Sequence, residues 1–384
     1  YGIVDGLCVS NFVGKTAFAA VNLIMPLPML LGTIGFMLGT GGSAIVGITL
    51  GEGDQKKADR YFTLFLLAAL VSVSVLAVLG IVFLRPIAVL LGAKGELLDY
   101  AVRYGRILMV SLPTFALQNM FQSFFVTAEK PHLGFWFTVG AGCTNMVLDV
   151  LMVGIWGWGV EGAAIATFIS QLVGGVLPVF YFIDRSNSSR LHLCKTSFYS
   201  KVLRDACING SSELMTNLSM SLVNILYNFQ LLRLAGENGV AAYGVIMYAA
   251  FLFVAVFVGY AVGSAPIVSF HYGARNHAEV HNLYRKSLRL IAVVAVTLTL
   301  ASMFIIPCVA RIFVGYDAEL LALTSRAFRL YALSFLIMGF NVYASSFFTA
   351  LGDGVTSALI SFLRTLAFQV IAILLLPLLL GIDG

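Results

Sequence analysis

Apolar runs of about twenty residues, separated by short polar turns, recur along the whole of this sequence. At 1.5 Å of rise per residue, a helix of that length crosses the roughly 30 Å of hydrocarbon in a bilayer. Spans are expected at 1–12 (partial), 18–50, 61–84, 102–127, 133–154, 162–183, 209–233, 240–271, 287–307, 321–349 and 355–380. The runs at 18–50, 240–271 and 321–349 exceed the bilayer and must tilt, kink or project beyond it. Pro26 and Pro28 are the expected kink in the first of them. Composition agrees: 60% of the 384 residues are hydrophobic and 11% charged, where a soluble domain has about 25% charged. The pattern predicts an all-α integral membrane protein with about eleven spans.

Several function classes drop out early. The net charge of +5 is scattered over loops, with no basic run long enough for nucleic acid. Cys8, Cys143, Cys194, Cys207 and Cys308 are far apart, with no CxxC and no Cys/His pair at ligand spacing. Neither a disulfide framework nor a structural metal is expected. GTGGS at 39–43 is Gly-rich but lies in an apolar helix and lacks the Lys-Ser/Thr of a phosphate loop. No hydrolase signature is present, so an enzyme is not expected and energy would come from an ion gradient. Tyr1 opens directly on YGIVDGLCVSNF, with no charged leader, and the first helix reads as cut.

One connector is long and polar, from Asp184 to Asp205, with Arg185, Arg190, Lys195, Lys201 and Arg204. Division there exposes an internal repeat. At an offset of 222, Gly14 matches Gly236, Ala19-Ala20 match Ala241-Ala242, Gly51 matches Gly273, and Asp54 matches Asn276. The same shift pairs Asn119 with Asn341, Phe125 with Phe347, Thr127 with Thr349 and Gly162 with Gly384. A constant shift over such a length reads as duplication.

The expected organisation is an amino-terminal lobe at 1–183, a connector at 184–208 and a carboxy-terminal lobe at 209–384. Each lobe would hold six helices, the first truncated and the twelfth missing, as in a fragment of a twelve-helix parent. An even number of spans per half makes the repeat parallel, with its axis along the membrane normal. The loops at 51–60, 128–132, 184–205 and 272–289 carry 13 Lys and Arg, and the opposite set with adjoining helix ends carries 9. That bias puts the connector in the cytoplasm and Gly14, Trp156 and Gly236 on the outer side.

Within this apolar chain a few polar groups stand out. An ionised Asp at bilayer depth costs about 2.5–3.5 kcal/mol on insertion scales, so it is rarely kept without a use. Asp149 lies seven residues before Trp156, and Asp5 seven before Phe12, which puts both about 10 Å below the outer surface. Asn145 shares the face of Asp149 at i and i+4, and Thr167 comes to about the same level on the next helix. A helix cap or an interfacial polar residue is the bland account of each taken singly. Asn119 and Gln122, one turn apart, read equally well as interhelical hydrogen bonding or as function. In the repeat Asp149 corresponds to Ile371, Asp5 to Tyr227 and Asn145 to Ala367, so the buried acids belong to the first lobe alone. Glu213 near the start of the seventh span is either a coupling acid or a favourable charge at a helix start. Arg364 lacks an acid partner in sequence and would snorkel or line a cavity.

Asn145-x-x-Leu148-Asp149, then Gly157-Trp-Gly159-Val-x-Gly162-Ala-Ala-x-Ala166-Thr167, resembles the multidrug and toxic compound extrusion transporters. So do Val4-Asp5 followed by Phe18-Ala-Ala-Val, Gly42-Ser-Ala leading to Gly51-x-Gly-Asp54, and Tyr243-Gly. The likeness covers the whole chain. It implies two six-helix lobes around a central cavity. It also implies an antiporter of the bacterial plasma membrane that exports amphipathic organic cations against protons or sodium, as a monomer without a cofactor. By the resemblance, Asp5 and Asp149 are the coupling acids, with Asn119, Asn145 and Thr167 as hydrogen-bonding neighbours. Gln122 stands where many relatives have Asn. Glu213 matches a seventh-helix acid of some branches, whose tenth-helix acid is Asn341 here. Two alternatives remain open: a flippase for lipid-linked oligosaccharide, and a membrane receptor without transport.

Overall fold

The computed structural model describes residues 5, 8–314 and 318–383. Expectations that fall on Val4 and Gly384, and on the rest of the first four residues, lie outside the described residues. The described chain is helical almost throughout and divides into two compact units, Tyr1–Gly210 and Ser211–Gly384. Among the described residues seven helices are long and apolar enough to span a membrane, and an eighth is formed if Ala318–Ala332 and Phe335–Ala350, bent by 47°, count as one.

In the first unit a π-helical turn, Val9–Val13, leads into α1 (Lys15–Ile24), α2 (Pro26–Gly51), α3 (Gln55–Leu90), α4 (Glu96–Thr127) and α5 (Pro131–Asp149). A second π-helical turn, Val150–Ile155, is followed by α6 (Gly159–Gly175) and α7 (Leu177–Ile183). The break between α1 and α2 falls at Met25, since Pro26 at the next helix start has no N–H to continue the ladder. α4 is the central post and packs against α1, α2, α3 and α6. With no water to expel between apolar helices in lipid, close backbone approach through small residues is what holds them together. Gly35 and Gly39 let α2 lie on the α4 backbone at Ala116 and Met120, Gly175 does the same for α6 at Thr114 and Gln118, and Gly174 makes room for the Gln118 side chain. A Cβ on Gly35 or Gly175 would meet backbone.

The expected connector at 184–208 is shorter than the sequence implied. Helix α8 (Ser200–Gly273) begins nine residues earlier, because Gly41 of α2 and Gly210 allow the backbones to meet and dock this first part of the helix. The extended stretch before it is strapped to α3. His192 N–H donates to Asp59 Oδ1 at 3.0 Å, Cys194 N–H to Thr63 Oγ1 at 3.1 Å, and Thr196 Oγ1 to the Arg60 carbonyl at 2.8 Å.

In the second unit α8 is broken at Gly236 (φ 60°). It is followed by α9 (His277–Val314), α10 (Ala318–Ala332), α11 (Phe335–Ala350) and α12 (Gly354–Phe362). A π-helical turn, Leu363–Ala367, then leads to α13 (Phe368–Leu380). The repeat is visible in backbone detail. Gly14 and Gly236 both break a helix at positive φ, and Gly53 and Arg275 share positive φ one residue before equivalent caps. Asp54 caps α3 by accepting from Lys57 N–H, and Asn276 caps α9 by accepting from Glu279 N–H. After the next hairpin the register changes. The left-handed residue is Glu129 in one lobe and Gly352 in the other, which are 223 apart (352 − 129), so that turn has one more residue in the second lobe.

Candidate functional site

Asp5 and Asp149 are sealed from solvent, at 2% and 0% exposure. Each stands just before a π-helical turn, at Val9–Val13 and Val150–Ile155, and the two turns pack on one another and on α6. A π-turn holds one residue more than an α-turn, widens the helix locally, and is frequent at functional sites. The two carboxylates are near enough for the charge of Asp5 to act on Asp149, and Cys8, three residues beyond Asp5, feels both.

Their surroundings are polar but incompletely paired. Tyr104 of α4 donates its hydroxyl to Asp5 Oδ2 at 3.3 Å. Asn145, fully buried one turn before Asp149, donates from Nδ2 to Thr167 Oγ1 at 3.3 Å, which ties α5 to α6. Asp5 Oδ1, Asn145 Oδ1 and both Asp149 oxygens are buried without a hydrogen-bond partner among the described residues. Unpaired acceptors are costly in a low-dielectric interior, and four of them together have the chemistry to accept a proton or to ligate a small cation. Among the described residues no group of three or more His, Cys, Asp or Glu is arranged to hold a metal ion.

The structure therefore brings Asp5, Asp149, Asn145 and Thr167 together, and leaves the other named residues apart. Asn119 is buried, but it sits where α4 meets Gly39 of α2. Counted from the turn shared by α4 and α5, it lies eight residues back from Thr127 and Asn145 lies fourteen beyond Pro131. That separates their levels by about 9 Å, too far for Asn119 to serve as a neighbour of the acids. Gln122 is exposed, and the covered amide is Gln118, pressed against Gly174 of α6. The glycine contact sets the rotation of α4, which a helical stripe in sequence leaves open. Glu213 and Asn341 belong to the second unit and are half-buried there.

Tyr104 is the residue that sequence reading missed. It lies between Arg103 and Arg106 in a segment that looks interfacial, and nothing local links it to Asp5, 99 residues away. Gln171 was within reach, since it follows Thr167 by one turn on α6 and is buried with Oε1 unpartnered.

The MatE family model matches residues 1–151 and again residues 214–375, one match in each lobe. The chain belongs to the MatE family. Among its relatives, the multidrug export protein MepA of Staphylococcus saprophyticus is 20% identical over 367 residues, covering 95% of this chain and 80% of MepA. MepA of Staphylococcus haemolyticus is 21% identical over 354 residues, covering 92% of this chain and 78% of that protein. The fold is that of solved MatE-family structures. A crystal structure of MATE in complex with MaL6 superposes with a TM-score of 0.91 at 24% identity, covering 97% of this chain and 84% of that one. A Pyrococcus furiosus transporter of the MOP superfamily, described as having reverse polarity of its binding pocket, gives 0.90 at 23% identity, with 100% and 86% covered. As a MatE-family member the chain is an integral membrane transporter of two lobes.

Proposed function

We propose that this chain is a secondary antiporter that exports amphipathic cationic drugs or other toxic organic compounds in exchange for protons or sodium by alternating access. The observation that carries this reading is the pair of sealed acids, Asp5 and Asp149, with three carboxylate oxygens unpaired among the described residues. Two carboxylates that repel each other in a dry site hold one proton or one monovalent cation far more readily than two negative charges. Loss of water favours the neutral form of each acid, and an approaching cation favours the charged form.

Protonation from the outer side removes the charge at Asp149, weakens the hold on a cationic substrate and lets the helices carrying the two acids repack. The π-helical turns beside them are the segments suited to that shift. Drug exit and ion influx are then reciprocally linked. The names of the MepA relatives support the substrate class. The charge bias of the loops supports a cytoplasmic connector in a bacterial plasma membrane.

The test is dye efflux from vesicles, with the pH and sodium gradients imposed separately. Asp149→Asn is expected to be expressed and folded like the unmodified chain but to lose gradient-driven efflux under both gradients. Full efflux by that variant would remove Asp149 from the coupling site, and whichever gradient drives the unmodified chain names the ion.

A further inference from the structure

The second lobe contains a second pair of charges. Glu213 lies on α8 and Arg364 on the π-helical turn Leu363–Ala367, and each guanidinium and carboxylate feels the other's charge. Two tethers fix how their helices run. Ser212 Oγ and Thr349 Oγ1 are 3.5 Å apart beside the α11–α12 turn, and Gln230 Nε2 donates to the Ile373 carbonyl at 3.0 Å. The intervening stretch of α8 thus runs parallel to α12 and α13. From Gln230 to Ile373 the shift is 143 (373 − 230), which sets Arg364 level with position 221, eight residues beyond Glu213. Eight residues are about 12 Å, and an arginine on a helix leans back toward the helix start, here toward Glu213. Arg364 Nε is buried and has no hydrogen-bond partner among the described residues.

Between the two charges runs a ladder of buried hydroxyls. Thr349 Oγ1 meets Ser357 Oγ at 2.7 Å, Ser357 meets Ser345 Oγ at 2.9 Å, and Ser345 meets Ser361 Oγ at 2.8 Å. Ser212 begins the ladder beside Glu213, and Ser361 ends it three residues before Arg364. The first lobe keeps only part of it. Thr127 donates to the Ser123 carbonyl as Thr349 does to Ser345, but at the shifted register of 223 Gly134 stands where the second lobe has Ser357, and the hydroxyl at the position of Ser361 is that of Thr138, which is exposed and bonds to the Gly134 carbonyl of its own helix. Like the acids of the first lobe, Arg364 is associated with a π-helical turn.

We propose that Arg364 is the built-in counter-cation of Glu213, so that the second lobe holds no exchangeable coupling ion and ion traffic is confined to the first. An acid in an apolar lobe needs a positive partner, and this chain supplies it covalently across a hydroxyl-lined gap. Arg364→Gln should then leave Glu213 open to a free cation, and Glu213→Gln should leave a buried guanidinium uncompensated.

The test is the melting temperature of the purified full chain in sodium chloride and in choline chloride, with export measured in parallel. Arg364→Gln should gain a stabilisation by sodium beyond any shown by the unmodified chain, and the double variant Glu213→Gln/Arg364→Gln should lose that gain. Each single variant should export at least about tenfold less, and the double variant should recover to within about threefold. If Arg364→Gln does not fold, the double variant should still melt above Glu213→Gln alone. An unchanged sodium response in Arg364→Gln, or a double variant no better than its worse single, overturns the proposal. The melting measurements need no transport, so they stand whatever becomes of the antiporter reading.

Discussion

The two lobes descend from one plan and treat buried polarity in opposite ways. In the first, two acids share a dry site with an amide and a hydroxyl, and several oxygens have no hydrogen-bond partner among the described residues. In the second, Tyr227 stands at the position of Asp5 and stacks on Tyr243 at 5.0 Å, with the Tyr243 hydroxyl donated to Asn224 at 2.7 Å. The counterpart of Asp149 is Ile371, or Ala372 once the extra turn residue is counted, and neither can titrate. The helix crossings differ in the same spirit. Gly35 on α2 meets the α4 backbone at Ala116, whereas at the equivalent crossing Phe257 on α8 fills the space over Gly339 on α11. The small residue has moved to the other helix, and the crossing survives. Duplication thus preserves geometry that any small–large pairing can satisfy, while charge, which needs a specific partner, diverges.

This contrast can be broken or sharpened in four ways, from the largest effect to the smallest. Asp149→Asn should reduce gradient-driven efflux by about tenfold to a hundredfold, the range of a typical coupling energy, while Ile371→Asn should change it little. Gly35→Val should destabilise the first lobe by about 1–3 kcal/mol, because its Cβ meets backbone that cannot yield. Gly339→Ala should cost less, since the atoms it meets belong to a ring and a side chain. Differential scanning of detergent-solubilised protein compares the two. Thr167→Val removes the acceptor of the Asn145 amide and should cost about 1–3 kcal/mol in a urea or thermal melt, with Thr167→Ser largely restoring it.

The smallest effects are at the caps. Asp54→Ala and Asn276→Ala should each cost about 0.5–2 kcal/mol, and equal costs would show the repeat in energy as well as in shape. Asp353 caps α12 through Thr356, and those hydrogen bonds hold its carboxyl below the ordinary range. A depressed folded value means that its contribution is present above the unfolded pKa of about 3.9 and fades as pH falls through the folded one. Asp353→Asn should flatten that acid-side dependence, and a melt that keeps it would assign the pH response elsewhere.

How much of this was readable in the chain depends on whether a feature is local. Span positions, the break at Pro26 and the shared helix face of Asn145 and Asp149 follow from spacing along one helix. The burial of Gln118 rather than Gln122 does not, because Gly174 and Gly175 of another helix set the rotation of α4. Tyr104 was invisible as a partner of Asp5 for the same reason.

The sequence by itself determined that this chain lives in lipid, that it is two copies of one helical unit, and that only one copy retained its paired acids. Hydropathy, period and offset are sums over neighbours in the chain, and no other part of the molecule can alter them. Tertiary structure alone decided which polar atoms meet, which remain unpaired and which charge answers which. Those outcomes depend on helix rotation and depth, and these are set where glycines on different helices let two backbones touch.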